Sequence, residues 1–113
     1  MEKSNYERFC GMLGFAMRAG KVVIGTELVC RAMARREGGK PNVVLISCEA
    51  SEGTKKKLLT KSEFYGIRAI VVELPSAELG RLLGKLYAPS AVAVVDQGFA
   101  REIEKALGQQ ADT

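Results

Sequence analysis

The apolar positions of this chain change their spacing several times, and each change marks a new element. Tyr6, Phe9, Cys10, Leu13, Ala16 and Met17 recur at intervals of three and four, the period of a helix with one buried face. Ser4 and Glu7 have the spacing of a capping box at its start, and Gly20 is placed to stop it. Val22 to Ile24 then reads as a short buried strand. Gly25 or Thr26 can cap a second helix running to about Glu37, with Leu28, Val29, Ala32 and Met33 as its apolar stripe. Glu27, Arg31 and Arg35 line its opposite side, while Arg36 falls on the apolar side and has to snorkel outward. Gly38-Gly39 and Pro41 end this helix.

Three further runs, NVVLIS (42–47), RAIVVE (68–73) and AVAVVD (91–96), are rich in Val and Ile and lack polar alternation. Such runs are expected for strands covered on both faces. Helical patterns separate them: Leu58, Leu59 and Tyr65; then Leu79, Leu82, Leu83 and Leu86 after Pro75-Ser76; then Phe99, Ile103 and Leu107. Strands alternating with helices define an α/β domain, here expected as a three-layer sandwich. With 113 residues the chain is read as one domain over 1–107, followed by a frayed polar tail at 108–113.

Composition narrows the function classes. Seventeen Lys and Arg against thirteen Asp and Glu give a net charge of +4, which favours a polyanionic partner without establishing one. There is no histidine, and Cys10, Cys30 and Cys48 are too widely spaced for a zinc site, so no metal or cofactor is expected. The cysteines are read as reduced, mostly buried side chains of a cytoplasmic protein. The N-terminal MEKSNYERFCGML carries acidic residues and no long apolar stretch, unlike a signal peptide, and no run approaches the roughly 18 apolar residues of a membrane helix.

Catalysis finds little support. In GKVVIG (20–25) the glycines have the separation of a phosphate loop, but Thr26 stands where that motif requires lysine, and KVVI favours a strand. Without histidine, the commonest general base is missing. Cys48 lies just past a strand end, yet Glu49 beside it opposes thiolate formation. Glu102 and Glu104 fall on different sides of a helix. The chain is therefore read as non-catalytic.

A basic surface remains. Lys21 precedes the strand at 22–24, Arg31 and Arg35 follow on one helix face, and the Gly25–Thr26 helix start offers unpaired backbone N–H groups. Glu27 in the first turn repels an anion but can accept from base amino groups. The residues alone leave two readings open: an RNA contact, or an ordinary capped and solvated amphipathic helix. Lys55-Lys56-Lys57 with Lys61 is the densest positive cluster; consecutive helix positions diverge, and a solvated face is the reading favoured there. Tyr87, in KLYAPS, covers the core edge or stacks on an exposed base.

Taken in order, LGFAMRAGKVVIGTELVCRA, VVLISCEASEGTKKKL, ELGRLLGK and AVAVVDQGFA resemble the ribosomal kink-turn RNA-binding family. That family includes archaeal large-subunit protein L-seven-Ae and eukaryotic L-thirty-e, and the match is closest to its short bacterial members. The resemblance spans residues 9 to 107. It implies an α/β/α sandwich with a four-stranded mixed sheet, and non-catalytic binding of a kink-turn or similar internal-loop RNA by a ribosome-associated monomer.

The family signature Gly-x-Asn-Glu-x-x-Lys reads here Gly25-Thr26-Glu27-Leu28-Val29-Cys30-Arg31. Gly25 matches, Arg31 keeps the charge, and Lys21 matches a lysine before the signature. Glu27 and Leu28 replace the Asn and Glu that read sheared G·A pairs, and Cys48-Glu49 replaces an acidic pair after the second strand. Leu86, Tyr87 and Ala88 correspond to the loop beside the RNA. The resemblance thus implies phosphate contacts from Lys21, Arg31 and Arg35, close backbone approach at Gly25 and Thr26, base contact at Glu27, an extruded nucleotide packed by the 86–88 loop, and Leu28 and Glu49 at the same RNA surface. A protein–protein adaptor on the same fold, its RNA surface eroded at Glu27 and Leu28, is the alternative. An exposed Leu28 beside other apolar side chains favours the adaptor; a buried one makes the substitution mere packing.

Overall fold

The computed structural model describes residues 2–108, so 109–113 of the expected tail lie outside the described residues. The elements run α1 (Lys3–Arg18), β1 (Val22–Ile24), α2 (Thr26–Met33), β2 (Val43–Ser47), α3 (Glu52–Tyr65), β3 (Arg68–Val72), α4 (Ser76–Leu82), β4 (Ala91–Val94) and α5 (Gln97–Ala106). The strands form one mixed sheet in the order β1-β4-β2-β3, with β4 antiparallel to both neighbours and β2 parallel to β3.

The alternation of β2 and β4 builds two cores. Val43, Leu45, Val92 and Val94 face one layer, where they meet Phe9 and Leu13 of α1, Leu79 of α4 and Ile103 of α5. Val44, Ile46, Ala91 and Ala93 face the other, against Val29 and Met33 of α2 and Leu58 of α3. The arrangement is the expected α/β/α sandwich with a four-stranded mixed sheet. The middle strands are buried at every position, as continuous apolar runs require.

Several local expectations are corrected. The two outer runs are not covered on both faces: β1 is half-buried throughout, and β3 exposes Arg68 and Val71 because both are edge strands. Ser4 does not cap α1, which begins one residue earlier with Glu2 as an N-cap that makes no side-chain bond. Helix α2 stops at Met33, not near Glu37; after Met33 the sequence ARREGG supplies no apolar anchor, and Gly38 and Gly39 turn the chain at φ +60° and +70°. Arg36 therefore has no helical apolar face to snorkel from, and Arg35, expected on the helix face with Arg31, lies past the helix end. Leu86 lies beyond the end of α4 and is fully exposed. The cysteines are not buried: Cys10 and Cys30 are half-buried and Cys48 is exposed. Other punctuation is as read, with Gly20 in the left-handed region after α1 and the α4 helix starting at Ser76 behind Pro75.

Two contacts position the loop between α4 and β4. Buried Ser47, at the end of β2, donates from Oγ to the Leu74 carbonyl (2.7 Å), and the same oxygen accepts from the Glu49 N–H (3.1 Å). Glu49 Oε1 in turn accepts from the Ser76 N–H (2.9 Å), satisfying one orphan amide at the start of α4. Further along α4, a Cβ built on Gly80 would lie 2.2 Å from the Tyr87 carbonyl oxygen and 3.1 Å from Pro89 Cδ. Only hydrogen at this position lets the 85–89 segment lie on the helix. The Lys85 N–H bonds to the Gly80 carbonyl at 2.8 Å.

Helix α4 is tied to α1 by Glu78, whose carboxylate accepts from the Tyr6 hydroxyl (2.8 Å) and bidentately from Arg81 (2.7 Å to each oxygen). The Arg81 and Tyr6 hydrogen bonds lower the Glu78 pKa to about 2, while the bond to Glu78 pushes the Tyr6 hydroxyl well above its ordinary value.

Gly80→Ala is expected to cost about 1–3 kcal/mol in urea unfolding, the range for overpacking, and to shift the amide resonances of 85–88. An unchanged midpoint with unchanged resonances would show that the segment does not rest on α4. Because the folded pKa of Glu78 is depressed, its contribution is present above the unfolded carboxyl pKa and is lost as pH falls through about 2. The stability advantage of the native chain over Glu78→Gln should thus be full at pH 6 and shrink between about pH 4.5 and 2; a pH-independent difference would contradict the tie.

Candidate nucleic-acid interface

Strands β1, β2 and β3 all finish at the end of the sheet where β4 starts. The Gly25 N–H donates to the Ala91 carbonyl (2.9 Å) and the Ser47 N–H to the Ser90 carbonyl (2.8 Å), which sets the ends of β1 and β2 on either side of the start of β4. Gly25 makes the strand-to-helix corner at φ +103°, ψ 143°, a conformation that only glycine adopts without strain. No side chain caps α2, and Val29 is the first residue whose amide turns back, to the Gly25 carbonyl (2.9 Å). The amides of Thr26, Glu27 and Leu28 are consequently the free donors of the helix start.

Leu28 is 51% exposed and does not belong to the apolar stripe of α2. That stripe is Val29, Ala32 and Met33. Leu28 lies about 100° round the helix from Val29, on the flank that overlooks the open edge of β1. On this flank a groove of about 560 Å³ is lined by Val22, Val23, Ile24, Leu28, Arg31, Arg35, Lys85 and Tyr87. Its floor is apolar, its rim carries three cations, and Tyr87 contributes a ring in a residue that is 56% exposed.

The cations are uncompensated. Among the described residues, the carboxylates within ion-pair distance of Lys or Arg belong to pairs elsewhere: Arg8–Glu102, Lys55–Glu52, Arg68–Glu104, Arg81–Glu78 and Lys105–Glu102. Glu27, one turn before Arg31, forms no ion pair with it. Arg35 Nη1 donates to the Gly39 carbonyl at 2.8 Å, and a Cβ on Gly39 would strike that nitrogen at 2.6 Å. The double glycine therefore sets the direction of the Arg35 side chain.

The structure brings Leu28, Arg31, Arg35 and Tyr87 into one groove and sets Gly25, Thr26 and Glu27 at the helix start beside it. Leu86 and Ala88 are exposed on the adjoining loop. Lys21 is exposed before β1, at the opposite end of that strand from Gly25, and does not line the groove. Glu49 sits past β2 with one carboxylate oxygen committed to Ser76. Lys85 was not among the residues expected from sequence; its position immediately before the 86–88 loop was the available signal. Among the described residues, no group of three or more Cys, Asp or Glu side chains is placed to hold a metal ion.

Comparison with known proteins agrees with this architecture. The chain is 35% identical over 108 residues to the RNA-binding protein YlxQ of Enterococcus faecium, covering 95% of this chain and 98% of that one. It is 30% identical over 98 residues to the large ribosomal subunit protein eL30 of Sulfolobus acidocaldarius, covering 87% and 91%. A Bacillus halodurans protein of unknown function superposes with a TM-score of 0.80 at 34% identity, over 89% of this chain and 97% of the other. The Giardia lamblia 15.5kD RNA binding protein shares the fold, with a TM-score of 0.75 at 12% identity over 96% and 89%. Residues 8–104 match the model of the "Ribosomal protein L7Ae/L30e/S12e/Gadd45 family", to which this chain belongs.

Proposed function

We propose that this protein is a non-catalytic RNA-binding protein that seats a kink-turn or similar internal-loop RNA at the α2 corner, in the cytoplasm and in association with the ribosome. The observation that carries the reading is the groove beside that corner, where three unpaired cations surround an apolar floor and an exposed tyrosine. Arg31 and Arg35 meet phosphates, with Lys85 added to them and Lys21 reaching the same backbone from beyond the strand. Gly25 and Thr26 let the RNA approach the free amides, where negative charge is favoured. Glu27 accepts from base amino groups, and the Leu86-Tyr87-Ala88 loop packs against an unstacked nucleotide. Glu49 acts at this site by holding α4, and through it the loop.

Leu28 favours a second reading. It is exposed beside Val22, Ile24 and Tyr87, an apolar surface that suits a protein–protein adaptor on the same fold. The two differ in a pull-down with and without ribonuclease: partners retained after digestion support the adaptor, and their release supports RNA.

In a gel-shift series the protein is expected to bind a kink-turn duplex more tightly than an unkinked control; equal, weak binding to both would defeat the kink-turn reading. Arg31→Ala should weaken binding across RNA sequences and flatten the log–log salt dependence by up to about 0.9, the release of one counterion. An unchanged slope would remove Arg31 from the phosphate contacts.

A further inference from the structure

We propose that the outward face of α3 is a second RNA-contact surface, one that holds an unpaired strand continuing from the RNA seated at the α2 corner. This rests on the RNA-binding reading and extends it to a part of the molecule which that reading leaves unused. Of the fourteen residues of α3 only Leu58 and Ser62 are fully buried, so most of the helix faces water. At 100° per residue, Lys57, Lys61 and Phe64 lie one turn apart in a single stripe, and Lys56 adds a cation to one side of it. Of the consecutive lysines only Lys57 joins this stripe, through its four-residue step to Lys61. The stripe lies more than about 100° round the helix from Ser62, measured to Lys57 and Phe64. The Ser62 hydroxyl points toward Met33 Sδ of α2, 3.7 Å away. The surface is therefore separate from the groove, whose lining includes no residue of α3.

Its chemistry suits a nucleic-acid strand. Among the described residues Lys56, Lys57 and Lys61 have no carboxylate within ion-pair distance. Glu52, on the Lys56 side, is taken by Lys55 at 3.8 Å, and Glu63 borders the stripe on that side as well. Phe64 is 80% exposed, its ring edge-on to Tyr65 at 4.9 Å and 89°, while Lys40 Nζ stands 5.4 Å from the Tyr65 ring. Cations along a track with an outward aromatic ring are how proteins hold single strands, the charges taking phosphates and the ring stacking a base. Lys57 and Lys61 are separated by about 5–6 Å at Cβ, comparable to the spacing of neighbouring phosphates on one strand. A protein partner is disfavoured, because lysine is depleted in protein interfaces and Phe64 has no apolar companions on the stripe.

The test measures binding of the full chain to a kink-turn duplex alone, to the same duplex with an unpaired extension of about ten nucleotides, and to one with a paired extension. The native protein should bind the unpaired extension at least about fivefold more tightly than the bare duplex, the low end of what one stacked base supplies. The variant Lys56→Gln/Lys57→Gln/Lys61→Gln/Phe64→Ala should lose this gain, keep native affinity for the bare duplex and melt at the native temperature. Its salt slope on the extended RNA should fall by up to about two, at about 0.7 per single-strand phosphate. Retention of the gain by the variant, or equal native binding to all three RNAs, would overturn the proposal. An equal gain from the paired extension would overturn the unpaired-strand assignment. If the bare duplex does not bind at all, the reading of the α2 corner fails; the isolated single strand, compared between native and variant chains, then tests α3 by itself.

Discussion

Strands β2 and β4 leave water neither a face nor an edge, since every residue in both is buried and each has a strand on either side. That constraint arranges the rest of the molecule. Both faces of the sheet must be covered by helices, which consumes the buried stripes of all five. Function is left with the strand ends, the two outer strands and the outward helix faces. The end where β4 begins is the one at which α2, α3 and α4 start, so it collects unpaired N–H groups and the positive ends of helix dipoles. A site for anions follows from topology before any particular side chain is considered.

Side chains then fix that end in place. Ser47 lies inside the apolar layer, where an unsatisfied hydroxyl would be costly, and it is satisfied by the carbonyl of Leu74 and the amide of Glu49. The Glu49 carboxylate carries the connection to the first amide of α4, and Gly80 carries it from α4 to the backbone of Tyr87. A ring that is more than half exposed thus owes its position to a serine in the core. The acidic residue after β2, expected from the family resemblance to lie at the RNA, has a structural duty in this chain whatever else it touches.

The sequence made the central layer readable because burial on both faces writes itself as an unbroken apolar run. Helix α5 was equally legible, and the start of α4 was signalled by proline. The outer strands misled for the same reason. RAIVV carries the composition of a covered strand, but its place at the edge is decided by the order of strands, which no local pattern encodes. Leu28 joined the apolar stripe by spacing, yet the flank it occupies stays open because β1 has no neighbour beyond it. Of the candidate site, the glycine corner and Arg31 were legible from spacing, whereas Arg35, expected one helical turn on, lies past the end of α2 and owes its direction to Gly39. Lys85 and the contact of Gly80 with Tyr87 were not legible, because both arise where a loop folds back on a helix.

Glu27 and Leu28 give the corner its chemical character. A helix start with free amides favours anions, and a family signature with Asn and Glu adds one side chain that donates and accepts and one that only accepts. Here the first position holds a carboxylate, which accepts without donating, and the second is apolar. The backbone at this corner therefore supplies the donors and Glu27 the acceptor, while Leu28 extends the apolar floor toward Tyr87. A base presenting amino hydrogens satisfies such a set, whereas a carbonyl edge facing Glu27 leaves the carboxylate without a partner and costs affinity. On the proposed RNA-binding reading, discrimination at this corner would rest on what Glu27 refuses as much as on what it accepts, with Arg31 and Arg35 providing attraction that is blind to sequence.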